Sequence, residues 1–274
     1  MAITATMAEA QNDYYKAMRA GKREGEILPN LDDILKEKNI VPPFEIRLIY
    51  GCQEETGMKD VVEYLKLERA PDYSFVPDCS FPVCYGEKGF LELKLSSEKL
   101  SGAVEALKGG SAVNEIPGRG TAVIRGERIE TEGVPGHSAY PDKCINALGL
   151  LGAECLKRNG LSKVDRRCFH FLADAGSDGY GRVLGVERSD ADSGPMTCAP
   201  TLLCMKDGRM EAVVNIRYPI TAQSSEIVAD MEKAVGRYGI SVSVMRDSAP
   251  NYEDPASPWV QYLSRVYADV MGKA

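Results

Sequence analysis

Residues 46–57, IRLIYGCQEETG, and residues 76–89, VPDCSFPVCYGEKG, decide how this chain is read. The first grows out of Phe44 to Tyr50 (FEIRLIY) and runs into Gly51 and an adjacent acidic pair, Glu54 and Glu55. A short run so dense in β-formers is the pattern of a strand buried in a parallel sheet. In open α/β sheets ligands bind beyond the C-terminal strand ends, where the acidic pair falls. Asp78 follows, between Pro77 and Cys79. Neighbouring side chains on an extended backbone point to opposite sides. One glutamate can then ligate a metal while the other faces the water that the metal activates. On that reading Glu55 and Asp78 each hold one ion and Glu54 is the general base. Zinc accepts carboxylate oxygen and histidine nitrogen, and manganese accepts the same set with more oxygen bias. Taken alone, such a pair is usually a solvated first turn of a helix, where the dipole favours acids.

Outward from this segment the pattern divides. Asn30 to Lys38 reads as a capped helix closed by Pro42-Pro43, and Lys59 to Arg69 as a second helix. After Gly89 the texture becomes alternating. Phe90 to Leu95, Thr121 to Arg125, Arg128 to Thr131, Arg209 to Tyr218 and Ile240 to Met245 read as antiparallel strands. Cys144 to Asn159, Ser224 to Tyr238 and Ser257 to Met271 read as amphipathic helices. Strand–helix–strand units of this texture predict an α+β insert of ferredoxin-like type within an α/β protein. Residues 1–89 are then part of an α/β domain, 90–248 the insert, and 249–274 the return to the first domain.

Bulk properties narrow the function. The net charge is −7 and no basic block occurs, which argues against nucleic acid or an anionic membrane as the main partner. No stretch approaches the roughly 18 apolar residues of a transmembrane helix. The opening MAITATMAEAQND lacks the basic and apolar regions of a secretory signal. Cys52, Cys79, Cys84, Cys144, Cys155, Cys168, Cys198 and Cys204 form no C-x-x-C pair, so reduced thiols in a cytoplasm are expected. Gly179-Tyr180-Gly181 lacks the spacing of a phosphate loop. Asp190, Asp192 and Gly194 lack the downstream Glu of a calcium loop, and no G-x-S-x-G occurs.

In combination the motifs resemble the PepV-type dipeptidases of the aminoacylase/carboxypeptidase superfamily of co-catalytic metallopeptidases. The likeness runs in order through Gly51 to Gly57, Pro77 to Pro82 and Gly86 to Gly89. It continues through Gly109 to Pro117 (GGSAVNEIP), Glu132 to Pro141 (EGVPGHSAYP), Ile145-Asn146-Ala147 and Asn215 to Pro219 (NIRYP). It spans roughly residues 31–271. The resemblance implies a phosphorylase/hydrolase-like catalytic domain with an inserted ferredoxin-like lid. It implies hydrolysis of dipeptides or small peptides by a water held between two divalent ions, zinc or manganese.

It also implies roles. Glu54 matches the general base, and Glu55 and Asp78 match metal ligands. His137 matches a lid histidine that polarises the scissile carbonyl, and Asn114 a lid asparagine near the same oxygen. Arg217 matches an arginine that grips the substrate's carboxylate. Read without the family, His137 is an exposed loop residue, Arg217 a partner in an ion pair and Asn114 a turn residue.

The chain departs from the pattern. The family's H-x-D histidine and its bridging aspartate in G-R-G-x-x-D-D-K-G have no counterpart, and Asp32-Asp33 lacks the flanking residues. The other histidine, His170 in Phe169-His170-Phe171, reads as a core or half-buried residue of an apolar strand. The expectation is a family member truncated at both ends, with most metal ligands missing and little hydrolysis of its own. The alternative is a non-enzymatic remnant that binds peptides through Arg217 or self-associates through strand edges. A third arrangement has another chain supply the missing ligands.

Overall fold

Alternation after Gly89 builds a seven-stranded sheet in which every pairing is antiparallel. The computed structural model describes residues 36–39, 41–47, 49, 58–74, 76 and 83–272. The chain divides into two compact units, residues 86–252 and residues 1–85 with 253–274.

In residues 86–252 the strands are β1 (Gly89–Lys99), β2 (Val104–Gly109), β3 (Arg119–Ile124), β4 (Glu127–Glu132), β5 (Thr197–Lys206), β6 (Arg209–Tyr218) and β7 (Ile240–Ser248). Their order across the sheet is β7-β1-β6-β5-β2-β3-β4. Leu91, Leu93 and Leu95 of β1 stand opposite Ile216, Val214 and Ala212 of β6, on one face and fully buried. Three helices supply the other side of this core: α1 (Ala147–Cys155), α2 (Lys163–Ala175) and α3 (Ser224–Gly236). Each fully buried leucine or phenylalanine here contributes about 1.5–3 kcal/mol over an exposed one. The β5–β6 hairpin closes on Asp207 and Gly208, both at positive φ (49° and 73°), as a two-residue turn matched to strand twist demands.

Helices α1 and α2 pack backbone to backbone. A methyl on Gly149 would lie 2.7 Å from the carbonyl carbon of Gly176, and one on Gly152 2.6 Å from Phe169 O. Helix α2 starts with a capping box. Ser162 Oγ accepts the Asp165 N–H, and the Asp165 carboxylate accepts the Ser162 N–H.

Phe169-His170-Phe171 is helical, inside α2. With 3.6 residues per turn, Cys168, Phe169, Phe171 and Leu172 are buried while His170 is exposed. The helix expected over Cys144–Asn159 is confined to Ala147–Cys155. Ile145 is held in a two-way backbone bridge to Val134 (2.9 and 3.0 Å), and the Asn146 side chain caps the helix by accepting the Leu148 N–H. Helix α1 buries Ala147, Leu148, Gly149, Leu151, Gly152 and Cys155 on one side, and its amphipathicity is weak because the outer side carries the exposed Leu150 and Ala153.

The other unit contributes two described helices, Lys59–Leu67 and Pro258–Met271. The second is capped by Ser257 and ends at Gly272 in the left-handed region. Its Trp259 packs on Tyr73 (4.9 Å between centroids) and donates to Ser74 O (3.3 Å). In the segment expected as a buried strand, Phe44–Arg47 and Ile49 are described and lie in no ladder. Phe44 is 60% and Ile49 45% exposed. A parallel strand needs neighbours to pair its backbone, and this unit has no strand among its described residues. Of the helix expected over Asn30–Lys38, only Lys36–Lys38 fall within the described residues.

Among the described residues no helix is long and apolar enough to cross a membrane. Burial pushes the thiols of Cys155 and Cys198 up to about 12 and that of Cys168 to about 11.

Candidate functional site

A two-residue ribbon, Glu115–Ile116 against Gly136–His137, sets the loop of the candidate histidine, with Glu115 opposite His137. His137 is exposed, and its Nδ1 accepts the Ala139 N–H (3.1 Å). An accepting Nδ1 places the proton of the neutral ring on Nε2, which becomes an outward donor.

The next residue anchors the loop. Ser138 is 0% exposed; its N–H donates to Asn114 O (2.9 Å) and its hydroxyl to Asn215 Oδ1 (3.0 Å). Asn215 is also 0% exposed and lies on β6, two residues before Arg217, so both point to the same side of the sheet. Ser138 therefore ties the His137 loop both to the backbone of Asn114 and to the strand that carries Arg217. Tyr140 closes the turn, with its N–H on His137 O and its ring 5.9 Å from the imidazole.

Arg217 stands opposite Phe90 on β1 and Thr197 on β5. Its guanidinium carbon lies 4.5 Å from the Phe90 centroid, and Arg246 of β7 lies 4.9 Å from the same centroid. Burial pushes the Arg217 guanidinium below its ordinary value; Glu87 and Glu92 oppose that shift, and Arg246 adds to it. Three buried polar atoms in this neighbourhood have no hydrogen-bond partner among the described residues: Arg217 Nε, Asn215 Nδ2 and Thr197 Oγ1. Orphaned buried polar groups are rare and cluster where a ligand or water completes them. A cavity of about 330 Å³ opens beside Thr197, lined also by Lys88, Tyr140, Asp142 and Tyr180.

The structure thus links the His137 loop to the Asn114 backbone and, through Ser138 and Asn215, to the strand that carries Arg217. Glu54, Glu55 and Asp78 lie outside the described residues. Among the described residues no group of three or more His, Cys, Asp or Glu side chains could hold a metal ion. Asp190 has an internal role: burial pushes its carboxyl up, but hydrogen bonds from Ser193 and Thr221 outweigh this and bring it to about 2. Ser138, Asn215, Phe90 and Arg246 were not singled out in the sequence. Asn215 carried a signal, its period-2 spacing from Arg217, whereas the Ser138 and Arg246 contacts arise only in the fold.

Ser138→Ala is expected to loosen His137. With two histidines in the chain, both rings can be followed by ¹⁵N NMR. The Nε2–H signature of His137 is expected to average toward a mixed tautomer, His170 to stay unchanged, and stability to fall by about 1–2 kcal/mol. Ser138→Thr should restore the signature. An unchanged His137 spectrum in Ser138→Ala would show that the hydrogen bond does not hold the ring.

No protein-family model matches the chain. It is 27% identical over 277 aligned residues to a Bacillus subtilis protein named "Putative dipeptidase YtjP", covering 88% of this chain and 59% of that one. It is 26% identical to the "Beta-Ala-Xaa dipeptidase" of Lactobacillus delbrueckii, covering 88% of this chain and 58% of the relative. A "Putative dipeptidase" of Staphylococcus aureus is 22% identical, at 85% and 58%. The chain spans less than two thirds of the length of each of these relatives.

Proposed function

We propose that the chain recognises dipeptides as part of a PepV-type metal-dependent peptidase, with residues 86–252 as its ferredoxin-like lid. One observation carries the reading. Arg217 is held on Phe90 with its buried Nε unpartnered among the described residues, and Ser138 ties the His137 loop to Asn114 and to Arg217's own strand. The names of the relatives point the same way. The chain order β1, α1–α2, β5, β6, α3, β7, with sheet order β7-β1-β6-β5, supports the ferredoxin-like lid.

In this reading the Arg217 fork takes the peptide's terminal carboxylate in a bidentate pair. The Nε2–H of His137 donates to the scissile carbonyl oxygen, where negative charge develops. The exposed Asn114 side chain serves the same oxygen, and Glu54 takes a proton from the attacking water. Glu55 and Asp78 are the proposed ligands for zinc or manganese, ions that make bound water a nucleophile near neutral pH.

The residues assigned above supply fewer donors than a two-ion centre takes. His137 Nδ1 is occupied by Ala139, His170 is an exposed helix residue, and Glu55 and Asp78 supply two carboxylates and no nitrogen. Hydrolysis by these 274 residues alone is therefore proposed to be slow, with dipeptide binding retained. This shortfall also favours a second reading, a peptide-binding protein without catalysis. Self-association belongs to that reading: β4 and β7 end the sheet, and β7 exposes Val244 and Met245. Free thiols such as Cys155, Cys168 and Cys198 suit a reducing, cytoplasmic setting.

Calorimetry with Ala-Ala and with Mn²⁺ or Zn²⁺ tests both readings. Dipeptide binding without metal is expected, with weak metal binding that Glu55→Gln with Asp78→Asn removes. Absence of dipeptide binding sinks the recognition role. Tight binding of two ions with rapid hydrolysis sinks the proposed impairment and the second reading.

A further inference from the structure

Two arginines share one phenylalanine. Arg217 comes from β6 and Arg246 from β7, the strands on either side of β1. Register explains the meeting: Arg217 stands opposite Phe90, and Arg246 opposite Glu92, the next residue on the same face of β1. Stacking on a ring engages the flat side of a guanidinium and leaves its in-plane N–H groups free to bind oxygen.

Elsewhere the fold spends such groups on carboxylates: Arg158 on Glu127 and Glu154, Arg167 on Glu98, and Arg188 on Asp230. At Phe90 neither arginine makes an ion pair or hydrogen bond with a carboxylate among the described residues, and Arg217 Nε is buried without a partner. Lys88 lies nearby, lining the cavity beside Thr197, with its ammonium on Pro195 O. Glu87 and Glu92 act on Arg217 through the field, and Glu92 is only 7% exposed. Like charges held side by side repel, and their donors remain available to an incoming anion.

We infer that Arg246 is a specificity-determining residue that takes a second carboxylate of the substrate, so that the site favours dipeptides ending in Asp or Glu. The inference rests on the reading that Arg217 takes the main-chain carboxylate. A terminal Asp or Glu presents two carboxylates on one residue, a short aliphatic spacer apart. The two guanidinium groups at Phe90 match that pair. A neutral terminal residue engages Arg217 and leaves Arg246 unused.

The test is binding of Ala-Glu, Ala-Gln and Ala-Ala to the full chain, followed by calorimetry. Ala-Glu is expected to bind about ten-fold tighter than Ala-Gln. Arg246→Gln should erase that difference, so that Ala-Glu and Ala-Gln bind alike, with a larger loss for Ala-Glu than for Ala-Ala. Equal binding of Ala-Glu and Ala-Gln overturns the inference. So does an Arg246→Gln loss shared by all three peptides, which would make Arg246 only a support for Phe90. In both cases Ala-Ala binding that depends on Arg217 leaves the dipeptide reading standing. If no peptide binds, the dipeptide reading and the inference fall together.

Discussion

Asp165→Ala is expected to destabilise the fold by about 3–5 kcal/mol, read from urea unfolding with an unchanged m-value. Asp165 is fully buried, yet its carboxylate accepts three hydrogen bonds: from Ser101 N–H (2.9 Å), Ser101 Oγ (2.6 Å) and Ser162 N–H (2.8 Å). It therefore caps α2 and also pins the β1–β2 turn to that helix. Truncation leaves the partly buried Ser101 and Ser162 N–H groups without their acceptor. Asp165→Asn keeps the shape and one acceptor oxygen, so a smaller loss, about 2 kcal/mol, is expected.

The pH dependence has a definite sign. Burial pushes the Asp165 carboxyl up, but the hydrogen bonds from Ser101 and Ser162 outweigh it and hold the group below its ordinary value. The stabilisation is therefore complete above the unfolded carboxylate value, about 3.9, and fades as the pH falls through the lower folded value. Asp165→Asn should flatten the acid limb of the stability curve. A loss under about 1 kcal/mol for Asp165→Ala would show that water replaces the carboxylate at little cost.

Arg217→Ala is expected to weaken dipeptide binding by at least about 100-fold, since it removes a charged, partly desolvated fork. Arg217→Lys should recover less than about a tenth of that loss, because an ammonium offers a point charge without the planar pair of donors or the stack on Phe90. Folding should not suffer. Among the described residues Arg217 Nε has no partner, and the favourable field of Glu87 and Glu92 is offset by burial and Arg246, so the melting temperature should change little. Binding of Ala-Ala to Arg217→Ala within about three-fold of the unsubstituted chain would remove Arg217 from the site.

How much was legible follows from which residues report on one element and which report on a meeting of two. Phe90 to Leu95 and Arg209 to Tyr218 were readable as strands because each has one apolar side, packed against helices, and a mostly polar side opposite it. Strand β5 was not, because Pro200 argues against an interior strand. The fold accommodates it with a register shift between Pro200 and Leu202, and the Asn146 side chain donates to Pro200 O. Helix α2 was hidden by Phe169 and Phe171, whose spacing mimics strand alternation, although Ser162 and Asp165 carried the cap signature. His137, Asn114 and Arg217 were assigned through the family resemblance of their motifs. Their mutual support could not be, since Ser138 and Asn215 are 77 residues apart. The acidic half of the site, Glu54, Glu55 and Asp78, stays a reading of the sequence.

The glycine contact between α1 and α2 has a consequence for the His137 loop. With no side chain between the two backbones at Gly149 and Gly176, there is no compressible layer to absorb a small slide. Helix α1 begins just after Asn146, and Ile145 before it is bridged to Val134, so both stems of the loop share one unyielding mount. A ratchet of α1 along α2 would drive a leucine into main chain. Amide exchange should therefore be slowest in this helix pair, and adjustment around an incoming peptide should be confined to the loop's tip and to rotation of the imidazole.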